Sequence, residues 1–158
     1  MEKREPENDF LKAVSSIQKI MMENNISLHD INASLCSQAI VPVSIFNSDH
    51  SPLGCLVVYL KNNKGLAFSE IAKLLHRDSR TIWSTYQNNN KQKIAFKENY
   101  DFVVPLSIFA DRNFSIMESL VRELKEIKGL RFVDIAKIIG KNQKTAWCFY
   151  SRARKKCK

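Results

Sequence analysis

The sequence predicts a mainly α-helical protein built from two tandem three-helix units, each preceded by a short extended arm, and from an N-terminal helical segment. Three observations predict this fold. A segment of about fifty residues occurs twice, apolar residues recur at steps of three and four within each copy, and a glycine follows the first helical stretch of each copy. We therefore divide the chain into an N-terminal segment (1–40), copy one (41–97) and copy two (98–158).

The N-terminal segment has an apolar helical face. Six apolar residues at three- and four-residue steps predict a helix of about fifteen residues, and four more indicate a second, shorter helix. These helices are explained equally well as a homodimerisation device and as a brace against the repeats. The first set is Phe10, Leu11, Val14, Ile17, Ile20 and Met21, and the second is Ile26, Leu28, Ile31 and Leu35.

The repeat begins with the segments VPVSIF (41–46) and VPLSIF (104–109). After one extra residue in copy two, near Phe114, the rest aligns without gaps, and about twenty-one of the fifty-odd aligned positions are identical. Apolar and polar residues alternate around a proline in each VPxSIF segment, which favours a short extended arm or edge strand.

The first helix of each copy has a cap, an apolar stripe and a glycine stop. Ser51 followed by Pro52 is typical of a helix start, and Gly65 is typical of a left-handed helix end. Ser115 and Gly129 take these roles in copy two. The stripes are Leu53, Leu56, Val57 and Leu60 in copy one, and Met117, Leu120, Val121 and Leu124 in copy two.

Two further helices are predicted after the glycine. The second helix begins at Ala67 or Ser69 and ends around His76, and Asp78 in copy one and Asn142 in copy two are good N-caps for the third helix. Three helices with a short turn between the last two match a helix-turn-helix unit. The apolar positions are Phe68, Ile71, Ala72, Leu74 and Leu75 in the second helix, and Ile82, Tyr86, Ala146 and Tyr150 in the third.

The segment FSEIAKLLHRDSRTIW, which begins at Phe68, resembles the helix-turn-helix of sigma-factor region 4 and of related bacterial, archaeal and phage regulators. The likeness covers about twenty residues in each copy. Ala72 and Ala136 match the small residue at which the two helices cross, Gly140 matches the turn glycine, and Ile82 matches the buried aliphatic residue of the recognition helix.

Three residues depart from this pattern. His76 stands at the turn-glycine position of copy one, and Arg77 and Lys141 stand where many family members have an apolar residue. The resemblance implies a tandem helix-turn-helix protein that binds double-stranded DNA.

In this motif the third helix enters the major groove, and its N-terminal side chains reach base edges. Arg80 and Gln143 are the best candidates for base reading, because Arg donates two bonds to guanine and Gln pairs with adenine. Thr81 and Thr145 suit phosphate contacts and ordinary helical positions equally well. The residues that project away from Ile82 and Ala146 are Ser79, Arg80, Ser84 and Gln87 in copy one, and Gln143, Lys144, Cys148 and Ser151 in copy two.

Other candidates for DNA contact have stronger alternatives. Trp83 and Trp147 suit groove contact, but core packing is the favoured interpretation, because they lie near Tyr86 and Tyr150 on the helical wheel. The basic C-terminal stretch suits either contact with phosphates or a disordered, solubilising tail. The cationic candidates are Lys73, Arg77, Lys137, Lys141, Arg152, Arg154 and Lys155.

The charge distribution supports a polyanionic partner. The net charge is +9, and by count residues 1–40, 41–100 and 101–158 carry −2, +4 and +7. Basic charge therefore follows the repeats, and copy two is the expected anchor.

The sequence gives no sign of an enzyme, because it has no Gly-rich phosphate loop, nucleophile elbow, HExxH motif or His and Cys cluster. We expect no metal site, since Cys36, Cys55, Cys148 and Cys157 form no CxxC pair and no metal-like pairing with a histidine. We also expect no cofactor and no small-molecule sensor, since no sizeable polar pocket is evident. No apolar run reaches the length of a membrane span. We expect a cytoplasmic, nucleoid-associated protein.

The sequence thus predicts sequence-specific or architectural DNA binding by a transcription regulator, with two recognition helices in successive major grooves. The alternative is a helix-turn-helix module that binds protein, for example the transcription machinery. If a two-fold axis relates the copies, the half-sites are inverted, and if a translation relates them, the half-sites are direct repeats.

Overall fold

The computed structural model is mainly helical, as the sequence predicted. It divides into two compact units, Met1–Cys36 and Ser37–Lys158, so that both copies of the repeat lie in the second unit. The structure describes residues 15–16, 19–23, 40–90, 96 and 99–157.

In the first unit, the described residues 15–16 and 19–23 are helical, in agreement with a helix in this part of the sequence. Lys19 and Glu23 form an ion pair one helical turn apart, with 4.0 Å between Nζ and Oε1. Several predictions lie outside the described residues, namely the apolar positions Phe10, Leu11, Val14 and Ile17 and the second helix over 26–35.

In each copy the chain runs from a short strand through a 3-10 helix into three α-helices. The elements of copy one are β1 (Ile40–Pro42), the 3-10 helix Val43–Phe46, α1 (Pro52–Asn62), α2 (Phe68–Leu74) and α3 (Ser79–Asn90). The elements of copy two are β2 (Val103–Pro105), the 3-10 helix Leu106–Phe109, α4 (Ile116–Glu126), α5 (Phe132–Ile138) and α6 (Gln143–Lys156). Each element has a counterpart at the aligned position of the other copy.

The VPxSIF segments are extended only over their first residues. We predicted an extended arm throughout, but residues 43–46 and 106–109 form 3-10 helices. In copy one the Asn47 amide donates to the Ser44 carbonyl at 3.1 Å, and the equivalent bond closes the turn of copy two. Residues three apart share one side of a 3-10 helix, so the first and last residues of both turns are buried. Burial of the phenylalanine therefore selects the turn over a longer strand.

The first helices of both copies begin and end as predicted. The hydroxyls of Ser51 and Ser115 accept hydrogen bonds from the amide three residues later, at 3.0 and 3.2 Å. Gly65 and Gly129 follow the helices with φ of +69° and +67°, a left-handed conformation that glycine adopts without steric cost. Local sequence signals set both boundaries.

Helix α1 is buried on every side over residues 54–60, whereas we predicted an apolar stripe. Its neighbours include α2, α3 and α4. In addition, Tyr59 packs edge-on against Phe96, near the end of copy one, with ring centroids 6.0 Å apart. Copy two has the half-buried Arg122 at the position of Val58. Long-range neighbours, which helical periodicity does not reveal, cover the side of α1 that a stripe would leave exposed.

The two copies meet along β1 and β2, which pair antiparallel. The Phe46 and Phe109 rings, which occupy the same position in their copies, lie 5.6 Å apart, and α1 contacts its counterpart α4. Contacts between like elements are what a local two-fold axis produces. The strand pairs are Ile40 with Pro105, Val41 with Val104 and Pro42 with Val103.

Candidate nucleic-acid interface

A short turn leads into α3 and into α6. His76 and Gly140 adopt left-handed backbone conformations at the same position of this turn, with φ of +48° and +63°. The amide of the following residue donates at 2.9 Å to the carbonyl of a buried alanine, Ala72 or Ala136. Because both turns have the same hydrogen-bond pattern, the turn between α2 and α3 has the same backbone geometry as the turn between α5 and α6.

The predicted caps begin both of these helices. The carboxylate of Asp78 accepts from the Arg80 amide at 2.8 Å, and the side-chain carbonyl of Asn142 accepts from the Thr145 amide at 2.7 Å. Each cap satisfies an amide of the first turn that has no partner within the helix. The first-turn side chains are therefore held at the start of a regular helix.

The inner face of α3 packs against α1 and α2. Ile82 is fully buried. The Tyr86 hydroxyl donates to the side-chain carbonyl of Asn62 at 2.9 Å, and the Tyr86 ring lies 5.2 Å from the Phe68 ring. The Lys61 ammonium covers Phe68 at 4.9 Å from its centroid.

The inner face of α6 has the same arrangement in copy two. Ala146 is fully buried, the Tyr150 and Phe132 rings lie 5.4 Å apart, and Lys125 covers Phe132 at 5.1 Å. Burial raises the pKa of the Tyr150 hydroxyl, and the charge of Glu126 and a hydrogen bond to it raise that pKa further. These matched contacts fix which side of α3 and of α6 faces outward.

The outward sides of α3 and α6 carry the residues predicted to project away from the core. We call these surfaces the outer faces. Neither helix contains an Asp or a Glu. Ser79, Arg80, Thr81, Ser84, Gln87, Gln143 and Lys144 are exposed, and Thr145, Cys148 and Ser151 are half-buried.

Trp83 and Trp147 belong to the outer faces. The sequence favoured core packing for them, and that interpretation is wrong, because their exposed fractions are 53% and 55%. Large exposed apolar side chains at the same position of both copies form part of a surface that a partner can cover. The tryptophans are therefore candidates for contact with a partner.

On α6, Trp147 borders a groove of about 290 Å³. Two cationic side chains, Arg154 and Lys155, and the polar Ser151 and Tyr150 form the rest of its lining. An aromatic ring beside two cations suits a nucleic acid, whose bases present π faces and methyl groups and whose backbone is anionic.

The basic C-terminal stretch is helical as far as Lys156, so the interpretation as a disordered tail is wrong for residues 151–156. Ala153 is fully buried. The Lys156 ammonium donates to the Glu118 carboxylate at 2.6 Å. Burial opposes the charge of Glu118, but Lys156 and the Ser115 amide and hydroxyl together hold the pKa of that carboxyl below its ordinary value.

This anchoring decides which cations of the stretch are free for a partner. Arg152, Arg154 and Lys155 are exposed, whereas Lys156 is paired. The sequence candidates were Arg152, Arg154 and Lys155 and did not include Lys156. The ion pair itself could not be predicted, because it joins positions far apart in the chain.

Lys141 contacts the other copy. Its ammonium donates to the Ser48 carbonyl at 3.3 Å and lies 3.6 Å from the Asp49 carboxylate. Although Lys141 is among the predicted DNA contacts, the structure assigns it to the junction between the copies.

At the equivalent junction, Arg77 stands in place of Lys141 and Arg112 in place of Asp49. Arg77 is half-buried, and its Nε is buried without a hydrogen-bond partner among the described residues. Burial and, after it, the charge of Arg112 lower the pKa of Arg77. Sequence analysis did not select Arg112, because its relation to Arg77 follows from the arrangement of the copies.

Lys73 and Lys137 are exposed at the same position of α2 and α5, as a phosphate contact requires. Lys137 also lines a cavity of about 490 Å³ whose walls include Ser44, Phe96 and Phe102. Lys137 therefore borders the junction between the copies as well as the outer side of α5.

The described residues contain no group of three His, Cys, Asp or Glu side chains placed to hold a metal ion. Within the described part of the chain, the thiols of Cys55, Cys148 and Cys157 form no disulfide. Burial raises the pKa of the Cys55 thiol. None of the helices within the described residues is both long and apolar enough to traverse a bilayer.

Contacts within this chain therefore position the outer faces, the exposed cations Arg152, Arg154 and Lys155, and the junction between the copies. Comparison of the chain with protein-family models, with curated proteins and with solved structures found no match.

Proposed function

We propose that this chain binds double-stranded DNA through the outer faces of α3 and α6, as the recognition helices of two tandem helix-turn-helix units. The observation that carries the proposal is the matched pair of outer faces, which are free of acidic residues and each expose a tryptophan and a cation. Such a protein would act as a transcription regulator or as an architectural DNA-binding protein.

The helix arrangement supports this function. A capped helix that follows a short turn and a small buried alanine, with its inner face packed on two other helices, is the geometry with which a helix-turn-helix unit presents a helix to the major groove. The capped helix, the short turn and the buried alanine recur in both copies. This recurrence supports the proposal that one chain places two helices in successive major grooves.

The side chains on the outer faces suit base reading. Arg80, Gln143 and Lys144 are exposed in the first turns, from which a recognition helix reaches base edges. Arg and Lys donate to guanine and Gln pairs with adenine, while Trp83 and Trp147 offer apolar contact to thymine methyl groups.

Copy two is the stronger anchor in this proposal. Arg152, Arg154 and Lys155 are exposed on the last turns of α6, while the last four residues of α3 are uncharged. Phosphate contacts contribute most of the salt-dependent affinity for DNA. Thr81, Thr145, Lys73 and Lys137 would add contacts to the backbone in both copies.

The two tryptophans are the only ones in the chain, so their fluorescence reports directly on the outer faces. We expect a duplex of about 30 base pairs, long enough for two neighbouring major-groove sites, to change the emission of both Trp83→Phe and Trp147→Phe at low salt. Each variant retains one tryptophan, so a change in both shows that both faces are covered. No change in either variant and no retention of duplex at low salt would contradict the proposal.

A charge-matched pair of variants tests which surface of the chain faces the DNA. Arg154→Ala should reduce the slope of log affinity against log salt by about 1, because it removes one phosphate contact. Lys128→Ala removes the same charge at an exposed position after α4 and should leave the slope unchanged. Equal effects of both variants would indicate attraction by net charge alone.

One observation favours protein binding as a second candidate function. Exposed tryptophans are enriched among the residues that dominate protein interfaces. If the tryptophan emission responds to a protein of the transcription machinery and no duplex is retained, the outer faces bind protein instead of DNA.

A further inference from the structure

The pairing of β1 with β2 determines how the two copies are related. Equivalent strands of two copies related by translation run in the same direction, so they can pair only in parallel. Here the equivalent strands pair antiparallel, and Val41 lies opposite Val104, its own counterpart. The two neighbouring pairs, Ile40 with Pro105 and Pro42 with Val103, follow the same rule. Val103 is the counterpart of Ile40 and Pro105 is the counterpart of Pro42, so each pair becomes the other when the copies are exchanged. This register is isologous, and it places a local two-fold axis at the Val41–Val104 pair.

Side-chain contacts extend this relation away from the strands. Phe46 and Phe109 pack on each other, and Gly140 lies so close to the Asn47 side chain that an added Cβ would collide with it. Lys141, directly before the α6 cap, binds the Ser48 carbonyl of copy one. The turn that positions α6 is therefore attached to the other copy, and the orientation of α6 does not depend on a single strand pair.

We infer that the DNA site of this chain is an inverted repeat of two unlike half-sites, one read by α3 and the other by α6. The inference rests on the proposed DNA binding. A two-fold axis reverses α6 relative to α3, and duplex DNA has local two-fold axes in its backbone, so each helix meets its half-site in the opposite direction. If the helices occupy successive major grooves, the half-site centres lie about 10 base pairs apart.

The half-sites differ because the reading residues differ. Of the exposed or half-buried outer-face positions, only the threonine and the tryptophan are shared by the copies. The natural site is therefore an imperfect palindrome. The pairs that differ are Ser79 and Gln143, Arg80 and Lys144, Ser84 and Cys148, and Gln87 and Ser151.

A variant that makes the two faces alike tests the orientation. Ser79→Gln, Arg80→Lys, Ser84→Cys and Gln87→Ser together give α3 the reading residues of α6, at positions that are exposed. Selection from a random duplex library should return an imperfect palindrome with the wild-type chain and a self-complementary site with this variant. The reciprocal variant Gln143→Ser, Lys144→Arg, Cys148→Ser and Ser151→Gln should return a different self-complementary site.

Binding to rearranged duplexes completes the test. With the selected half-sites at constant spacing, the inverted duplex should bind at least about tenfold more tightly than the direct-repeat duplex, the loss that one mispositioned half-site produces. Preference for direct repeats, or selection of a single half-site, would overturn the inverted arrangement and leave DNA binding intact. If the wild-type chain retains no duplex at low salt, DNA binding itself is contradicted.

Discussion

At the scale of single residues, His76 has a backbone conformation that suits glycine. Its φ is +48°, and Gly140 has the same role in copy two with φ of +63°. A left-handed conformation costs a residue with a Cβ about 1–2 kcal/mol. The histidine side chain is exposed, so burial of the imidazole does not offset this cost.

We therefore expect His76→Gly to raise the free energy of unfolding by about 0.5–1 kcal/mol, since glycine also makes the unfolded chain more flexible and returns part of the gain. The urea midpoint of the purified chain measures the change. His76→Ala keeps the strain and should give no gain. A less stable His76→Gly variant would show that the imidazole itself makes a stabilising contact.

At the scale of helices, Glu118 at the start of α4 and Lys156 at the end of α6 hold these two helices together. Their ion pair spans 2.6 Å, and the glutamate side chain is 6% exposed. Because the pKa of Glu118 is lowered in the folded state, the unfolded chain takes up the proton first as the pH falls. The pair therefore stabilises the fold above the ordinary glutamate pKa, and this contribution disappears as the pH falls through the folded-state value.

Glu118→Gln should lower the free energy of unfolding by about 1–2 kcal/mol at neutral pH. This is the lower part of the range for a hydrogen bond to a charged group, because the Lys156 side chain is 42% exposed and solvent screens its charge. It should also reduce the loss of stability that follows as the pH falls below the ordinary glutamate pKa. Urea unfolding at a series of pH values measures both effects. Lys155→Met removes an exposed neighbouring cation and should preserve the wild-type pH profile. A Glu118→Gln variant with that same profile would contradict the assigned role.

Helix boundaries could be predicted because their causes are local. Ser51, Gly65 and Asp78 each act within a few residues of their own position, and the structure contains the cap or left-handed turn that each one indicates. The outward side of α3 could also be predicted, because the burial of Ile82 follows from helical spacing.

Contacts between distant residues could not be predicted, and the crossing of the first and third helices shows why. In copy one, Gly54 makes room for the Asn89 side chain, which an added Cβ would strike. Copy two has Glu118 and the buried Ala153 at the same two positions. The small and large residues have exchanged helices, so each position alone looks like an unrelated substitution. Only the packing of the two helices shows that the pair has changed together.

At the scale of the whole molecule, the repeat in the sequence does not determine how the two copies are related in space. A duplicated sequence is the same whether its copies are related by translation or by rotation. The antiparallel register of β1 and β2 distinguishes them, and it depends on residues more than sixty positions apart. The candidate site shows the same difference. The outer faces were predictable, whereas the roles of Lys141 and Arg112 at the junctions between the copies were not.

The two-fold arrangement also creates two junctions that differ in charge. Lys141 lies 3.6 Å from Asp49 in one junction. In the other, Arg77 has Arg112 at the position of that carboxylate, and burial followed by the charge of Arg112 lowers the pKa of Arg77. One junction therefore has an attractive pair, and the other has two like charges, Arg77 and Arg112. The Nε of Arg77 is buried without a hydrogen-bond partner among the described residues.

Arg112→Asp should therefore stabilise the chain by about 0.5 kcal/mol, the range of partly exposed ion pairs, as measured by the urea midpoint at neutral pH and low salt. Arg112→Ala removes only the repulsion and should gain less, while Asp49→Arg should lower the midpoint by placing two cations at the other junction. Equal stability of Arg112→Asp and Arg112→Ala would contradict the claim that a carboxylate at position 112 forms an attractive pair with Arg77. Each charged substitution introduces the residue that the other copy has at the equivalent position, since Asp49 and Arg112 are counterparts. The comparison therefore changes the charge while the backbone position stays equivalent.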